Sequence, residues 1–325
     1  MDGMFKVTEE HQMLRDLVKK FVRNELMPLE KNILERFAAG QPAALSDEEN
    51  KKLFKQCKDL GLWALDVPEE AGGANLPWTA LVGVNEELGY TSVPFTFPPD
   101  SPNLHMMLAT VTPEQRKKYL EPYAAGETVS AIAISEPGAG GDPAGMKTRA
   151  VKDGDHWVIN GRKIWISRIA KADFTIAMAV TDPERGARGG ITAFLVDKGT
   201  PGLVVARAIP MLAGQRTYEV VFEDCRVHES QVLGRIGQGF APMQFRLTVR
   251  RLQMGAWCIG MAQRALDMMV EHVQQRVTFG EKLADLATEE AISQSGIGSK
   301  GNFPGPLFLA VAPVETEWTA REQLA

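Results

Sequence analysis

The hydrophobic positions change period twice along the chain. In residues 8–27, Leu14, Leu17, Val18, Phe21 and Val22 recur at helical spacing and form one apolar face. Thr8 is placed to cap that helix, Glu9 and Glu10 lie at the positive end of its dipole, and Pro28 marks its predicted end. A second helix is expected over 47–60, stopped at Gly61, and a third over 79–88. Between them, 61–73 reads as a loop with an embedded apolar stretch. Pro94, Pro98, Pro99 and Pro102 mark an irregular connection. Thr112-Pro113-Glu114-Gln115 is a capping box with proline at the first helical position, so a helix should start there and run to about Leu120. Residues 1–125 therefore read as a helical domain.

From 131 to about 233 the period falls to two. Strands are expected at 174–180, 191–196, 203–206 and 219–222, with turns at Asp182-Pro183, Gly189-Gly190 and Pro201-Gly202. Asp153-Gly154 separates strand 148–152 from 156–159, and Asn160-Gly161 separates that strand from 163–167. Both dipeptides supply the positive φ angles of a two-residue hairpin turn. Many short strands with frequent turns predict a barrel or sandwich over 126–235.

After Gly237-Gln238-Gly239-Phe240 the helical period returns in one long helix. Leu252, Ile259, Leu266 and Val273 fall every seven residues, with Gly255, Ala262 and Met269 between them, which predicts a bundle seam of close helix approach. Residues 236–285 are thus the start of a C-terminal helical domain. In 286–325 the run Ser-Gly-Ile-Gly-Ser-Lys-Gly-Asn-Phe-Pro-Gly-Pro cannot continue a helix, and helical periodicity returns only at 315–324. The fold class is α+β, with one long helix after the β-rich part and then an atypical tail.

Composition narrows the function. A length of 325 residues suits two to three domains. A net charge of −5 leaves no basic footprint for nucleic acid. Cys57, Cys225 and Cys258 are widely spaced, which argues against a disulfide framework or zinc site and fits a reducing compartment. Cys258, among apolar neighbours, is expected to be buried and inert. The dispersed histidines offer no metal motif. No apolar run reaches the ~18 residues of a membrane span, and the N-terminus is neither a signal nor a transit peptide. The cytoplasm is the expected location, with mitochondrial matrix or peroxisome the eukaryotic alternatives.

One loop carries candidate chemistry. The apolar run 131–134 breaks into the Pro/Gly loop 136–142. Gly138, Gly140 and Gly141 let a flat or anionic ligand approach the main chain, although a plain glycine-rich turn reads equally well from the glycines alone. No Lys-Ser or Lys-Thr follows, so the loop is not a P-loop. The spacing Gly138-x-Gly140-x-x-Pro143 also fails the dinucleotide fingerprint.

The string Ser135-Glu136-Pro137-Gly138-Ala139-Gly140-Gly141-Asp142, followed by Asn160-Gly161-x-Lys163-x-Trp165-Ile166-Ser167, resembles the acyl-CoA dehydrogenase family. Gly260–Asp267 and Arg276-x-Thr278-Phe279-Gly280 extend the resemblance, which covers about residues 8–283. The resemblance implies a helical N-terminal domain, a β middle domain and a helical C-terminal domain. It implies FAD as cofactor, α,β-dehydrogenation of an acyl-CoA thioester, and transfer of electrons to an electron-transferring flavoprotein. Ile134 and Ser135 would then meet the flavin ring's pyrimidine side, Trp165 would pack by the ring, and Ser167 would reach it near N5. Gly140 and Gly141 would lie near the cofactor and the thioester, Gly141 where most relatives have serine. Arg251 would lie by the CoA moiety, and Arg276 and Phe279 would contact the FAD of a neighbouring subunit of a homo- or hetero-oligomer.

The reaction needs a carboxylate base of raised pKa. The family's glutamate falls either late in the C-terminal bundle, without a counterpart here, or at the position of Arg250. No Asp or Glu occurs between Phe240 and Leu266, so no catalytic residue is assigned. The alternatives are a non-catalytic subunit of a heteromer or a related flavin oxidase. A truncated or replaced bundle would account for the tail.

Overall fold

The computed structural model describes residues 7–211 and 216–285. The expected tail, 286–325, and its helical stretch 315–324 lie outside the described residues.

The first helix, α1 (Glu9–Phe21), starts where the sequence says. The Thr8 hydroxyl accepts from the His11 N–H at 3.2 Å. Pro28 does not end it. The chain passes through a π turn (Val22–Leu26) and a 3-10 turn (Met27–Leu29) straight into α2 (Glu30–Ala38). Proline lacks only an N–H and sits here in the first turn of a new segment, where that donor is not needed. Then follow α3 (Asp47–Asp59), α4 (Trp78–Gly89) and, inside the proline-rich connection, α5 (Ser101–Leu108). The capping box opens α6 (Pro113–Gln115), which runs by a π turn (Arg116–Leu120) into α7 (Glu121–Ala125). Val18, Phe21, Leu26, Leu53, Leu62 and Val84 form the core of this helical part.

The middle part is one eight-stranded sheet. Its strands are β1 (Ser130–Ala133), β2 (Arg149–Asp153), β3 (His156–Ile166), β4 (Phe174–Val180), β5 (Ile191–Asp197), β6 (Leu203–Pro210), β7 (Arg216–His228) and β8 (Val232–Leu233). The order is β6-β7-β3-β2-β4-β5-β8, with β1 parallel to β4. Only one residue pair, Arg149 with Val180, joins β2 to β4. The two halves fold onto each other there, with Trp157 against Phe194 at 5.7 Å between ring centres. The sandwich expectation describes this arrangement. β4 and β5 are buried on both faces: Ala177 and Ala179 face the inter-sheet core, and Phe174, Ile176 and Met178 face the helices.

Asn160-Gly161 is not a hairpin turn. β3 runs through it from His156 to Ile166, and the dipeptide makes a bulge against β7. The Asn160 side chain donates to Asp224 Oδ1 at 3.0 Å and accepts from the Asp224 N–H at 2.8 Å, which pins the bulge. Gly161 sits at φ +155°, and a Cβ there would stand 2.4 Å from Thr148 Oγ1. The glycine is required by strand packing rather than by a turn.

The long helix α8 (Phe240–Gln275) packs on α4 and α5, but not by the predicted seam. Its buried residues are Met243, Val249, Ala256 and Gly260. A Cβ at Gly260 would lie 2.0 Å from the Glu86 carbonyl oxygen, so the contact there is backbone to backbone. Leu252 and Ile259 are instead 45% and 59% exposed. Cys258 lies on the same outer side and is exposed, against expectation. α8 carries two apolar stripes, and periodicity alone does not say which one meets the helical domain. A short hairpin, β9 (Val277–Thr278) with β10 (Glu281–Lys282), follows. Among the described residues no helix is long and apolar enough to cross a membrane, and no histidine, cysteine or carboxylate cluster could hold a metal ion.

Candidate functional site

The loop after β1 is fixed by a closed ion pair. Lys163, on β3, is fully buried, and its ammonium donates to Glu136 Oε1 at 2.9 Å and to the Ile134 carbonyl at 3.0 Å. Glu136 also accepts from the backbone N–H groups of Lys147 (2.6 Å) and Thr148 (2.9 Å). Burial alone would raise the Glu136 carboxyl; the Lys163 charge and these hydrogen bonds outweigh it and hold it below 4.5. Burial pushes Lys163 down to about 8, against the pull of Glu136. Glu136 and Ala139 exchange backbone hydrogen bonds of 2.9 and 3.1 Å, which closes the turn. Glu136 and Lys163 both lie inside the recognised strings, yet only the structure shows that they bond to each other across 27 residues.

This pairing brings four of the predicted residues together. The Ile164 N–H donates to the Ser135 carbonyl at 2.9 Å, so the end of β1 lies beside the end of β3. Ile134, Ser135, Trp165 and Ser167 converge there. Trp165 is not a core residue: its φ is +63° and it is 51% exposed. The Ser135 and Ser167 hydroxyls have no partner among the described residues. Gly138, Gly140 and Gly141 are not held in a left-handed conformation, and nothing lies within 4 Å of where their Cβ atoms would stand. The loop therefore leaves open space in front of its backbone.

Arg251 is exposed on α8 and makes no ion pair among the described residues. Arg276 ends α8 in extended conformation, and Phe279 sits at the tip of the β9–β10 hairpin, 95% exposed. Among the described residues no hydrogen bond, ion pair or ring contact joins either to Ser135 or Trp165.

Arg250, at the position where the family can carry its base, turns out to belong to a second cluster. It pairs with Asp100, which also pairs with Arg168 at 3.1 Å. Arg246 lies one helical turn earlier and donates to Asn103 Oδ1 at 3.0 Å. Burial would raise Asp100; the charges of Arg168 and Arg250 outweigh it and hold the carboxyl below 3.8. A carboxylate stabilised in this way is a weak proton acceptor, so Asp100 is poorly suited to serve as a base. Asp100 stands 150 residues before Arg250, and no sequence pattern links the two.

A helical domain, a folded sheet and a long packing helix surround an open glycine loop that lies beside two serines and an exposed indole. The family models for the acyl-CoA dehydrogenase N-terminal, middle and C-terminal domains match residues 8–127, 131–225 and 237–290. The chain belongs to the acyl-CoA dehydrogenase family of oxidoreductases. It is 41% identical over 294 residues to (R)-benzylsuccinyl-CoA dehydrogenase of Thauera aromatica, covering 87% of this chain and 72% of that one. It is 35% identical over 289 residues to cyclohex-1-ene-1-carbonyl-CoA dehydrogenase of Geobacter metallireducens, covering 87% and 73%. The solved structure of butyryl-CoA dehydrogenase from Megasphaera elsdenii superposes with a TM-score of 0.73 at 27% identity, covering 90% of this chain and 76% of that one.

Proposed function

We propose that this chain binds FAD and acts on an acyl-CoA thioester as an α,β-dehydrogenase. The observation that carries the reading is the convergence of Ser135, Trp165 and Ser167 across the Ile164–Ser135 hydrogen bond of 2.9 Å. Two unengaged hydroxyls and an exposed indole face suit a flat ring with polar edges, so the residues fit a flavin. Ser135 and the backbone at Ile134 would hold its polar edge, Trp165 would cover its face, and Ser167 would reach the atom that accepts hydride. Bound FAD would supply the two-electron acceptor for hydride from the substrate's β-carbon. Gly140 and Gly141 keep the space beside it clear for the thioester. Arg251 is exposed for CoA phosphate, and Arg276 and Phe279 for the flavin of a second subunit. Electrons would pass to an electron-transferring flavoprotein.

A second reading is that of a non-catalytic subunit completing a heteromer. It draws on Arg250, which turns to Asp100 where the family can place a glutamate.

The test is the visible spectrum of the FAD-loaded chain under anaerobic addition of acyl-CoA thioesters. Bleaching of the flavin band is expected for a dehydrogenase. A bound flavin that never bleaches would sink the dehydrogenase reading and favour the subunit. Failure to hold flavin would overturn both. Rapid reoxidation by air with formation of peroxide would instead identify an oxidase.

A further inference from the structure

Two threads of side-chain contacts join the long helix to the strands that lead into Ser135 and Ser167. The first runs through Asp100, the residue just before α5. Arg250 on α8 pairs with Asp100 Oδ1, and Arg168, directly after Ser167, pairs with Asp100 Oδ2 at 3.1 Å. Arg168 also donates to the Thr96 hydroxyl at 3.2 Å. The second runs through Asn103, in the first turn of α5. Arg246, one turn before Arg250, donates to Asn103 Oδ1 at 3.0 Å, and the Asn103 amide donates to Ser130 Oγ at 2.9 Å. Ser130 opens β1, the strand that leads into Ile134 and Ser135. The Tyr123 hydroxyl donates to the Asp100 carbonyl and holds the approach to α5 from α7.

The first thread ends where the backbone needs holding. Trp165 and Arg168 have φ of +63° and +64°. Left-handed backbone is costly for side chains of that size and persists only where the surroundings enforce it. Between the two lie Ile166, which is buried, and Ser167. The start of this segment is tied to β1 by the Ile164–Ser135 hydrogen bond. Its end is gripped by Thr96 and Asp100, which belong to the helical part. A planar guanidinium held by two acceptors has a fixed direction. The Asp100 carboxylate is only 10% exposed and shares its other oxygen with Arg250, so the grip on Arg168 depends on where α8 stands.

We infer that Asp100 is a positioning residue through which α8 sets the place of Ser167, so that flavin binding depends on Arg250. Arg250 itself makes no hydrogen bond with Ser167 among the described residues. This deepens the flavin reading and rests on it. The helical part, the sheet and α8 meet at one carboxylate, and a shift of α8 is passed to the end of β3 by two ion pairs.

The experiment combines amide hydrogen exchange of the full chain, read by mass spectrometry, with titration by FAD. The variants are Arg168→Met, Arg250→Met and Arg264→Met. Arg264 lies on the same helix but pairs with Glu30 at 3.5 Å, away from both threads. Exchange needs no flavin and reads residues 164–168 directly. Arg168→Met and Arg250→Met should each speed exchange there about tenfold and raise the Kd for FAD about tenfold, the worth of one charge-assisted hydrogen bond. The double variant should match either single one, because both cut the same thread. Arg168→Lys should recover part of the loss, since it keeps the charge and loses the fork. Arg264→Met should leave both readouts as in wild type. Should Arg250→Met fail to fold, Arg250→Lys gives the same comparison with a smaller loss. Wild-type exchange at 164–168 in the Arg250 variant would overturn the inference. Additive losses in the double variant, or an equal loss in Arg264→Met, would overturn it too. In each of these cases wild type still binds FAD and the flavin reading stands. Failure of wild type to take up FAD would instead end the flavin reading, and the role of Asp100 toward flavin with it.

Discussion

Two groups of paired charge adjoin Ser135 and Ser167, a buried one beside the first and a half-buried one beside the second. Beside Ser135, Lys163 and Glu136 are matched one to one, and the ammonium and both carboxylate oxygens are engaged by the protein itself. Beside Ser167, Asp100 stands among three arginines, and polar atoms of the adjoining cavity wall have no partner. The first group is complete within the chain and fixes a loop. The second carries more guanidinium than carboxylate and keeps Arg168 41% exposed to water. The same residue types thus make a closed, buried pair in one place and an open, half-buried cluster in the other.

The largest effect should come from opening the complete group. Lys163→Met leaves Glu136 buried and unpaired, which costs about 3–5 kcal/mol. Urea denaturation should show that loss, and the double variant Lys163→Met/Glu136→Gln should recover most of it, because a neutral amide beside an apolar chain carries no stranded charge. A loss under about 1 kcal/mol for the single variant would mean that the pair does not brace the loop. Removing the central carboxylate of the incomplete group should cost less. Asp100→Asn leaves the arginines without a counter-charge, but Arg168 is 41% exposed and can turn to water. The expected loss is about 2–3 kcal/mol. Adding Arg250→Met to Asp100→Asn should restore part of it, and no restoration would contradict the charge surplus.

Much of the frame behind this contrast is legible in the chain itself. Thr8 and the Thr112–Gln115 capping box mark helix starts because their hydrogen bonds are local. β4 is legible because seven apolar or small residues lie between turn signals. Pro28 misleads because a proline in a first turn costs nothing, so a helical continuation reads as a stop signal. Asn160-Gly161 misleads because its partner, Asp224, is 64 residues away and makes a bulge of what looks like a turn. On α8 the stripe through Leu252 and Ile259 is more regular than the one that packs, and only the close approach of Gly260 to Glu86 selects between them. At the proposed site, the strings around Ser135 and Trp165 are two stretches that the Ile164–Ser135 hydrogen bond brings side by side. The Asp100 cluster stays hidden because α5, β3 and α8 supply it from distant stretches.

Both groups contribute to the acid limb of stability, and Glu136 tests the share of the closed one. Glu136 titrates below its ordinary 4.5 in the fold. A carboxylate lowered in this way contributes stability that is present above the unfolded value and lost as pH falls through the folded one. The thermal midpoint of the wild type should therefore fall as pH drops below 4.5. Glu136→Gln should lower the midpoint at neutral pH and flatten the fall, since the group that takes up the proton is gone. A fall of unchanged steepness in Glu136→Gln would show that Glu136 carries none of the limb.

The smallest effect should come from Arg246, and it is the sharpest check on the contrast. Replacing Arg246 with methionine removes a hydrogen bond of 3.0 Å to Asn103, which by itself would cost about 1.5–3 kcal/mol for a charged donor. It also removes a buried guanidinium whose pKa burial and Arg250 push down to about 10. The apolar stem keeps its packing in methionine, so little contact area is lost. The two effects oppose each other, and Arg246→Met should lie within about 1 kcal/mol of wild type in urea denaturation. In a complete group the same kind of change would strand a partner charge, as Lys163→Met does. Here no charge is stranded, because Asp100 keeps Arg168 and Arg250. A loss of about 3 kcal/mol or more would show that Arg246 is already satisfied by the protein, and the distinction between a closed pair and an open cluster would collapse.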